Sequence, residues 1–212
     1  MSSSKYDPAS RLVRHIHDHD YDACRRLVDQ APDVVHSTVT RDGLRATPLV
    51  WAAHANAASD ISHLLLEHRA DVNATAEPTR RTALHAATAQ GNASLVRLLC
   101  EYGATVDDAD VAGISPLHTA AVMGDTKTTG VLLHYGADAE QPDHAGRTPL
   151  HLAVSSRLEI CQLLLEHRAD INAMDDDGFT PLDTALLDLS DEDPIVMYLV
   201  DEGARTDQMR RA

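Results

Sequence analysis

The chain has 212 residues, enough for one large domain or for a row of smaller units. Aromatic residues make up only 3% of it, so the core must consist mainly of leucine, valine, isoleucine and alanine, which favours closely packed helices. The formal charge of -15 at pH 7 repels phosphate backbones and anionic lipid, so we expect neither a nucleic-acid nor a membrane partner.

The three cysteines, Cys24, Cys100 and Cys161, are odd in number and far apart, and they form no CxxC motif. This pattern predicts neither a disulfide framework nor a zinc knuckle, and it favours a reducing compartment. The first thirty residues hold no apolar segment of the signal-peptide type, and no run of about 18 apolar residues follows. We therefore expect a soluble, cytoplasmic protein.

The N-terminal region predicts a disordered segment at residues 1–7 and two helices, at about 9–18 and 22–30. Apolar residues recur on one face of each predicted helix. A stack of helices needs a polar end unit, so we interpret residues 8–40 as a helical cap or a degenerate repeat. The side chains predicted to face inward are Leu12, Val13, Ile16, Cys24, Leu27 and Val28.

The histidine-rich stretch "RHIHDHD" lies at the end of the first predicted helix. His15 and His19 are four residues apart, a spacing that places two ligands on one helical face and begins a metal site. The sequence offers no third ligand at a suitable spacing. We therefore favour a solvated polar helix face and expect no bound metal.

Five later stretches share one pattern: "ATPLVWAAHAN" at 46–56, "RTALHAATAQG" at 81–91, "SPLHTAAVMGD" at 115–125, "RTPLHLAVSS" at 147–156 and "FTPLDTALLD" at 179–188. Their Thr or Ser residues recur about every 33 positions, a period typical of stacked-repeat proteins.

Each repeat predicts a pair of antiparallel helices. A Thr or Ser occupies the N-cap position of the first helix, and in four repeats a proline occupies its first turn, where its missing N–H costs nothing. The second helix shows apolar spacing, as at Leu95, Val96, Leu98 and Leu99. Stretches such as "DVAG", "DHAG" and "DDDG" then predict tight turns that project as fingers before the next repeat. The predicted caps are Thr47, Thr82, Ser115, Thr148 and Thr180; the prolines are Pro48, Pro116, Pro149 and Pro181; and glycines that end second helices are Gly103, Gly136 and Gly203.

These motifs and their period resemble the ankyrin repeat family. The resemblance implies an all-α solenoid of antiparallel helix pairs with projecting β-turn fingers. It places repeats at 41–75, 76–108, 109–140, 141–173 and 174–207, the last including a C-terminal cap, and leaves a tail at 208–212.

The repeats depart from the family pattern in three places. Arg69 and Arg168, both in "EHRAD", stand where the family has a glycine in the left-handed conformation, so we expect looser helix ends there. The fourth repeat lacks one residue between its helices. The fifth gains residues through "DLSDEDP", which is typical of an acidic cap.

His85, His118 and His151 occupy one motif position in three repeats. The resemblance implies that each imidazole ties the Thr/Ser turn to neighbouring backbone, and a reactive centre would not be needed three times. Val50 and Asp183 replace it in the first and last repeats, so we expect this bond to be dispensable there. No hydrolase, metalloprotease or P-loop motif is present, and no cofactor is expected.

Asn73 in "ADVNA" and Asn172 in "ADINA" resemble the hairpin asparagines that asparaginyl hydroxylases modify in ankyrin proteins. The alternative, which we favour, is that each asparagine bonds its own turn backbone.

The resemblance implies that partners bind the concave surface formed by the fingers and first helices. Motif alignment assigns these positions to it: Leu44, Ala46, His54, Thr79, Arg81, Ala89, Gln90, Val111, Ala112, Ile114, Val122, Met123, His144, Arg147, Ser155, Ser156, Asp176, Asp177, Phe179 and Leu187.

Four of these residues, Val111, Ile114, Val122 and Met123, predict an uncharged patch in the central repeat. An exposed apolar patch typically marks an interface. Packing between adjacent fingers is the alternative.

The charged residues predict a groove that runs from basic to acidic. Arginines gather near the first fingers, whereas Asp176 and Asp177 accompany Phe179 on the last. Such polarity orients a partner more than it adds affinity. The arginines are Arg41, Arg45, Arg80 and Arg81. For the acidic end alone, a solvated cap is equally consistent.

Trp51 is expected to lie half-buried between first helices, as a core residue more than as a binding hot spot.

The sequence therefore predicts a non-catalytic protein–protein interaction module or scaffold that binds a protein or peptide, including a basic segment, and acts as a monomer. One alternative is an enzyme that uses the groove as a pocket, with His54, His144 or His15 as general base. Another is an inhibitor or immunity-type binder of a single target.

Overall fold

The computed structural model describes residues 7–56 and 59–206. The predicted tail at 208–212 and all but one residue of the predicted disordered N-terminus lie outside this range; Asp7 lies within it and caps the first helix. The α-helices are α1 Pro8–His17, α2 Tyr21–Gln30, α3 Pro48–His54, α4 Ser59–Glu67, α5 Ala83–Ala89, α6 Ala93–Glu101, α7 Pro116–Met123, α8 Thr126–His134, α9 Pro149–Ala153, α10 Leu158–Glu166, α11 Pro181–Asp188 and α12 Pro194–Asp201. A 3-10 helix, Pro32–His36, and an antiparallel pair of strands, β1 Val39–Arg41 and β2 Leu44–Ala46, complete the described elements.

The chain forms two compact units, Met1–Val111 and Ala112–Ala212. In the first, α1, α3 and α5 pack side by side as one layer, and α2, α4 and α6 form a second layer against it. In the second unit α7, α9 and α11 form one layer and α8, α10 and α12 the other. Each unit is therefore a two-layer stack of helix pairs, and the all-α prediction is confirmed.

Aliphatic side chains fill the space between the two layers of each unit. Small residues at the inner face, such as the fully buried Ala52 and Ala87 in the first unit and Ala120 in the second, allow the short helices to approach closely. The largest fully buried side chains are Leu12, Ile16, Leu49, Ile61, Leu65, Leu84, Leu95 and Leu99 in the first unit, and Leu117, Leu132, Leu150 and Ile160 in the second.

The predicted N-terminal helices are confirmed within one residue at each end, and all six side chains predicted to face inward are buried. The prediction for His15 and His19 is wrong in its geometry. Helix α1 ends at His17, and His19 adopts a left-handed conformation with φ 54° beyond the cap residue Asp18. The two histidines therefore do not share a helical face.

The five predicted N-cap residues each begin a first helix. At α7, the backbone N–H and the hydroxyl of Ser115 both donate to Nδ1 of His118, at 3.2 and 2.8 Å. A backbone N–H can only donate, so Nδ1 accepts and the proton lies on Nε2. Nε2 then donates to the carbonyl oxygen of Arg147 on the next finger, 3.0 Å away.

His151 makes the same two connections. Its Nδ1 accepts from the N–H of Thr148 at 3.1 Å, and its Nε2 donates to the carbonyl of Phe179 at 3.0 Å. The predicted link between turn and neighbouring backbone is confirmed. It joins each helix start to the finger of the following repeat.

At Asp183 the part of this bond that lies within the turn is retained. The carboxylate of Asp183 accepts from the N–H and the hydroxyl of Thr180, at 3.0 and 2.9 Å, so it replaces the imidazole as an acceptor. The side chain of Val50 offers no acceptor to the helix start of the first repeat. The buried hydroxyl of Thr47 accordingly has no hydrogen-bond partner among the described residues.

The fingers of the second unit are joined by backbone hydrogen bonds. The N–H of His144 donates to the carbonyl of Ala112, and the N–H of Asp176 donates to that of Ala145. Gly146 makes this approach possible, since a Cβ there would lie 2.7 Å from the backbone nitrogen of Asp176. In the first unit the finger of the first repeat is the β1–β2 hairpin, whose Arg45 exchanges two backbone hydrogen bonds with Glu77.

Two second helices end on arginine in the left-handed conformation, as predicted. Arg69 has φ 64° and Arg168 has φ 70°, whereas Gly103 and Gly136 occupy the equivalent positions elsewhere. The fourth repeat is shorter by one residue, but the shortening falls in its first helix and not between its helices, because four residues separate α9 from α10 and two separate α7 from α8. Helix α9 has five residues, and α10 begins after Arg157 without a side-chain cap.

We predict that Arg168→Gly and Arg69→Gly each stabilise the chain. A non-glycine residue in the left-handed conformation costs about 1–2 kcal/mol. Glycine removes this cost, but it also raises the entropy of the unfolded chain, which offsets part of the stabilisation. The expected net change in the free energy of unfolding is about 0.5–1 kcal/mol, measured by urea denaturation. The control Glu166→Gly places glycine at a right-handed helix position and should destabilise by about 1 kcal/mol. Equal effects of the Arg168 and Glu166 variants would contradict the prediction.

We also predict a loss of stability in mild acid from His118 and His151. Burial lowers the pKa of both imidazoles below the ordinary value of about 6.5, chiefly by disfavouring the charged ring. The two neutral imidazoles make their full contribution to the free energy of unfolding above pH 6.5. This contribution falls as the pH drops below 6.5, because the unfolded chain takes up protons first.

Melting temperatures between pH 7.5 and 5.5 test this. The double variant His118→Asn/His151→Asn should be less stable at pH 7.5, by about 1–3 kcal/mol for each lost network, and its melting temperature should depend less on pH. His36→Asn, at an exposed site, should keep the wild-type pH profile. The same slope in wild type and double variant would refute the assignment.

Candidate partner-binding surface

The residues predicted to contact a partner differ in exposure. Ala46 is fully buried in the first repeat, so its assignment to the surface is wrong: the pleat of β2 turns its side chain into the core. The exposed members are Gln90, Val111, Ala112, Val122, Met123, His144, Ser155, Asp176, Asp177 and Leu187. The half-buried members are Leu44, His54, Thr79, Arg81, Ala89, Ile114, Arg147, Ser156 and Phe179.

Several predicted binding residues of the first unit also hold its loops together. The Gln90 side chain donates to the carbonyl of His54 at 3.3 Å. The guanidinium of Arg81 pairs with the buried carboxylate of Asp110 at 3.1 Å. Burial first, and then the positive charge of Arg81, lower the pKa of the His54 imidazole. A partner at this unit would therefore meet side chains already fixed by internal contacts.

The basic character predicted for the first fingers is partly neutralised. Arg41 pairs with Asp42 at 3.4 Å, and Arg45 pairs with Glu77 at 3.2 Å. These pairs are solvent-exposed, so each contributes little to stability, but each lowers the local positive charge. The arginines belong to the first unit and Asp176 to the second, so a charge gradient along one groove stays a prediction.

Trp51 is more deeply buried than predicted, with 6% of its surface exposed. Its indole N–H donates to the carbonyl of Val39 at 3.3 Å, and its ring packs against His17 and His54, with centroids 5.9 and 6.2 Å away. The contacts support its interpretation as a core residue that joins the β1–β2 hairpin to the helices.

In the second unit, Arg147 supports its own finger. Its guanidinium donates twice to the buried carboxylate of Asp143, at 2.9 and 2.7 Å, and Asp143 also accepts from the backbone of Ala145. Burial alone raises the pKa of Asp143, but these hydrogen bonds outweigh it and the pKa lies below its ordinary value. Neither the buried carboxylate nor its intrafinger pairing with Arg147 was predicted, although an Asp and an Arg recur at those finger positions.

Exposed apolar side chains mark the C-terminal ends of first helices in the second unit. Val122 and Met123, at the end of α7, are 56% and 59% exposed, and Leu187, near the end of α11, is 68% exposed. Ile114 is half-buried at the start of the same unit. Val111 is 55% exposed but belongs to the first unit, so a continuous four-residue patch stays a prediction.

The side chains of the two hairpin asparagines bond the neighbouring repeat, whereas we expected each to bond its own turn. Asn73 donates to the carbonyl of Gly103 and accepts from the N–H of Thr105 at 2.9 Å. Asn172 accepts from the N–H of Arg205 at 2.7 Å. The recurring "AD-x-NA" motif was the available signal for this role. These bonds give both side chains a structural function that needs no modification.

The thiols lie in environments that oppose ionisation. Burial raises the pKa of Cys24 and Cys161 to about 12, and that of Cys100 to about 11. Cys24 and Cys161 are buried, while Cys100 is partly exposed. A thiol that stays protonated is a poor nucleophile, so these cysteines act as small hydrophobic residues at neutral pH.

The remaining candidate histidines, His15 and His144, belong to different units. His15 lines an open cleft of about 290 Å³ with Arg11, Asp20 and Arg26, whereas His144 is exposed on a finger of the second unit. Within residues 7–56 and 59–206, no three His, Cys, Asp or Glu side chains are arranged to hold a metal ion. No described helix has the length and apolar character of a membrane span.

Comparison with known proteins identifies the family to which the repeats belong. A model of three consecutive ankyrin repeats matches residues 75–143 and 117–210, and a single-repeat model matches 45–77. The human palmitoyltransferase ZDHHC17 is 41% identical over 69 residues, which are 32% of this chain and 11% of that protein. The zebrafish (Danio rerio) protein of the same name is 39% identical over 70 residues, 33% of this chain and 11% of that protein. The potassium channel AKT3 of rice (Oryza sativa subsp. japonica) is 40% identical over 52 residues, 24% of this chain and 6% of the channel.

The matches thus span about a tenth or less of the length of these relatives, whose names describe two unrelated activities. What this chain shares with them is the repeat and its helix pairs. The family models cover most of residues 45–210, the same region in which the structure shows stacked helix pairs with linked fingers. The chain belongs to the ankyrin repeat family.

Proposed function

We propose that this chain is a non-catalytic interaction module that binds a protein or peptide through its finger tips and the exposed ends of its first helices. Ankyrin repeats generally mediate protein–protein interactions, and a shared fold leaves the partner to be argued from the surface. We further propose a cytoplasmic monomer, because free cysteines suit a reducing compartment and a net charge of -15 opposes self-association.

The observation that carries the proposal is the exposed apolar surface of the second unit. The backbone ladder between fingers sets successive first helices side by side, so their C-terminal ends emerge at one edge. At that edge Met123 and Leu187 remain more than half exposed, while Ser155 lies between them in the chain. Exposed large apolar side chains at a structured edge are typical of binding surfaces.

The charge of the same unit favours a cationic partner. Asp176 is exposed on the last finger, whereas Arg147, the basic residue of the preceding finger, is paired with Asp143. Negative charge at the fingers beside an apolar helix edge fits a segment that carries both apolar and basic side chains. The charges would mainly raise the association rate and fix the partner's direction.

Affinity capture with the double variant Val122→Ser/Met123→Ser tests the proposal. The tagged wild-type chain should enrich a partner from native lysate, and the variant should recover at least tenfold less of it by quantitative mass spectrometry. Both side chains are exposed, so the melting temperature should change by no more than a few degrees.

Met174→Ser is the matched control, because Met174 is 56% exposed and precedes the last finger, so it lies neither at a finger tip nor on a first helix. It should capture as much partner as the wild type. Equal recovery by wild type and double variant, or equal loss with Met174→Ser, would contradict the proposal.

A further inference from the structure

A second apolar surface lies on the outer face of α11 and α12, the last helices that the structure describes. A groove of about 350 Å³ opens there, and its floor includes Leu186, Met197 and Val200. Met197 and Val200 are each 54% exposed, although they belong to the same helix as the buried Leu199. The groove therefore presents large apolar side chains to solvent.

The preceding helix pair shows what such a face normally contacts. When Leu164 of α10 is aligned with Leu199 of α12, Leu165 corresponds to Val200, and Val154 after α9 corresponds to Leu186. Leu165 is half-buried and Val154 is fully buried, in a pair that has α11 and α12 packed against it. At Leu186 and Val200 the outer face of α11 and α12 keeps the apolar residues of a packed layer, and Met197 adds an apolar side chain where α10 has glutamine. No described residue covers Met197 or Val200 to the same extent.

The edges of the groove determine the charge of a suitable occupant. Asp191, before α12, and Asp201, at its end, both line the groove. Residues 188–202 contain six acidic side chains and no lysine or arginine. A second copy of the chain would bring two acidic rims together, which repulsion opposes.

We propose that this groove, called here the α11–α12 groove, is a docking site for a cationic amphipathic helix of a partner protein. The apolar face of the partner helix packs on Leu186, Met197 and Val200, and its basic side chains reach Asp191 and Asp201. Helix α12 has eight residues and is about 12 Å long, so a partner helix of about two turns spans it. The groove shares helix α11 with the proposed surface, but none of the side chains that line it belongs to the residues assigned to that surface.

Peptide binding to the full chain tests this assignment. The probe is a fluorescein-labelled, end-blocked 15-residue peptide of leucine and lysine with leucines on one helical face, followed by fluorescence anisotropy. Met197→Gln/Val200→Thr should weaken binding at least tenfold. This variant is designed to keep the fold, since glutamine occupies the position equivalent to Met197 in α10 and threonine has the shape of valine.

A second variant, Asp191→Asn/Asp201→Asn, tests the role of charge. It should weaken peptide binding about tenfold and reduce the dependence of binding on NaCl concentration. Met174→Ser, with a methionine of equal exposure elsewhere in the same unit, should leave the dissociation constant within twofold. In amide NMR spectra of the wild type, the peptide should shift signals of residues 182–206 more than those of residues 116–125.

Three results would overturn the proposal. The first is equal binding of a peptide with the same composition but scrambled leucines, which would show charge attraction alone. The second is equal loss of affinity with Met174→Ser, or shifts centred on residues 116–125. The third is concentration-dependent self-association of the wild type that Met197→Gln/Val200→Thr abolishes, which would make the groove an interface between copies.

Discussion

The two-sided hydrogen bonding of His118 and His151 is the constraint on which the second unit depends. Each ring accepts at Nδ1 from the start of its own helix and donates at Nε2 to the finger of the next repeat. The bond at Nδ1 requires a neutral ring, and the two bonds together require that the proton lies on Nε2. Helix start, finger and repeat spacing are thus fixed together by one buried side chain in each repeat.

The fingers have supports of their own, and these leave other side chains free for recognition. Asp143 holds its finger through Arg147 and backbone N–H groups, and hydrogen bonds between fingers set their spacing. Residues such as Met123 and Asp176 take no part in the hydrophobic core and remain exposed. A surface built in this way can vary its exposed residues while the scaffold stays the same, which is why family membership does not identify a partner.

The fold was predictable because each repeat carries the same local sequence signals. A Thr or Ser cap followed by proline and a helical apolar pattern occurs often enough that errors at single positions do not matter. The N-terminal helices lack this signature, yet the spacing of Leu12 and Ile16 was sufficient to place them. The end of α1 was less predictable, since the sequence around His19 fits either another helical turn or a left-handed residue.

The surface was predictable only in part, because exposure depends on contacts between repeats. Motif alignment identified Val122 and Met123 but not the internal pairing of Arg147, nor the burial of Ala46 in a short strand. The role of Asn172 required coordinates as well, since its partner, the N–H of Arg205, lies 33 residues away. Val200 follows the apolar pattern of the preceding second helix in the sequence, and its exposure is visible only from the packing of α12.

The hairpin of the first repeat differs from the later fingers in how its contacts respond to pH. That repeat has no imidazole at its cap, and β1 and β2 are held by amide groups that do not titrate near neutrality. Protonation therefore acts directly on the links at His118 and His151, but reaches the hairpin only through the contacts of His17 and His54 with Trp51. The residue at the cap position of each repeat thus decides whether its link to the next finger is sensitive to pH.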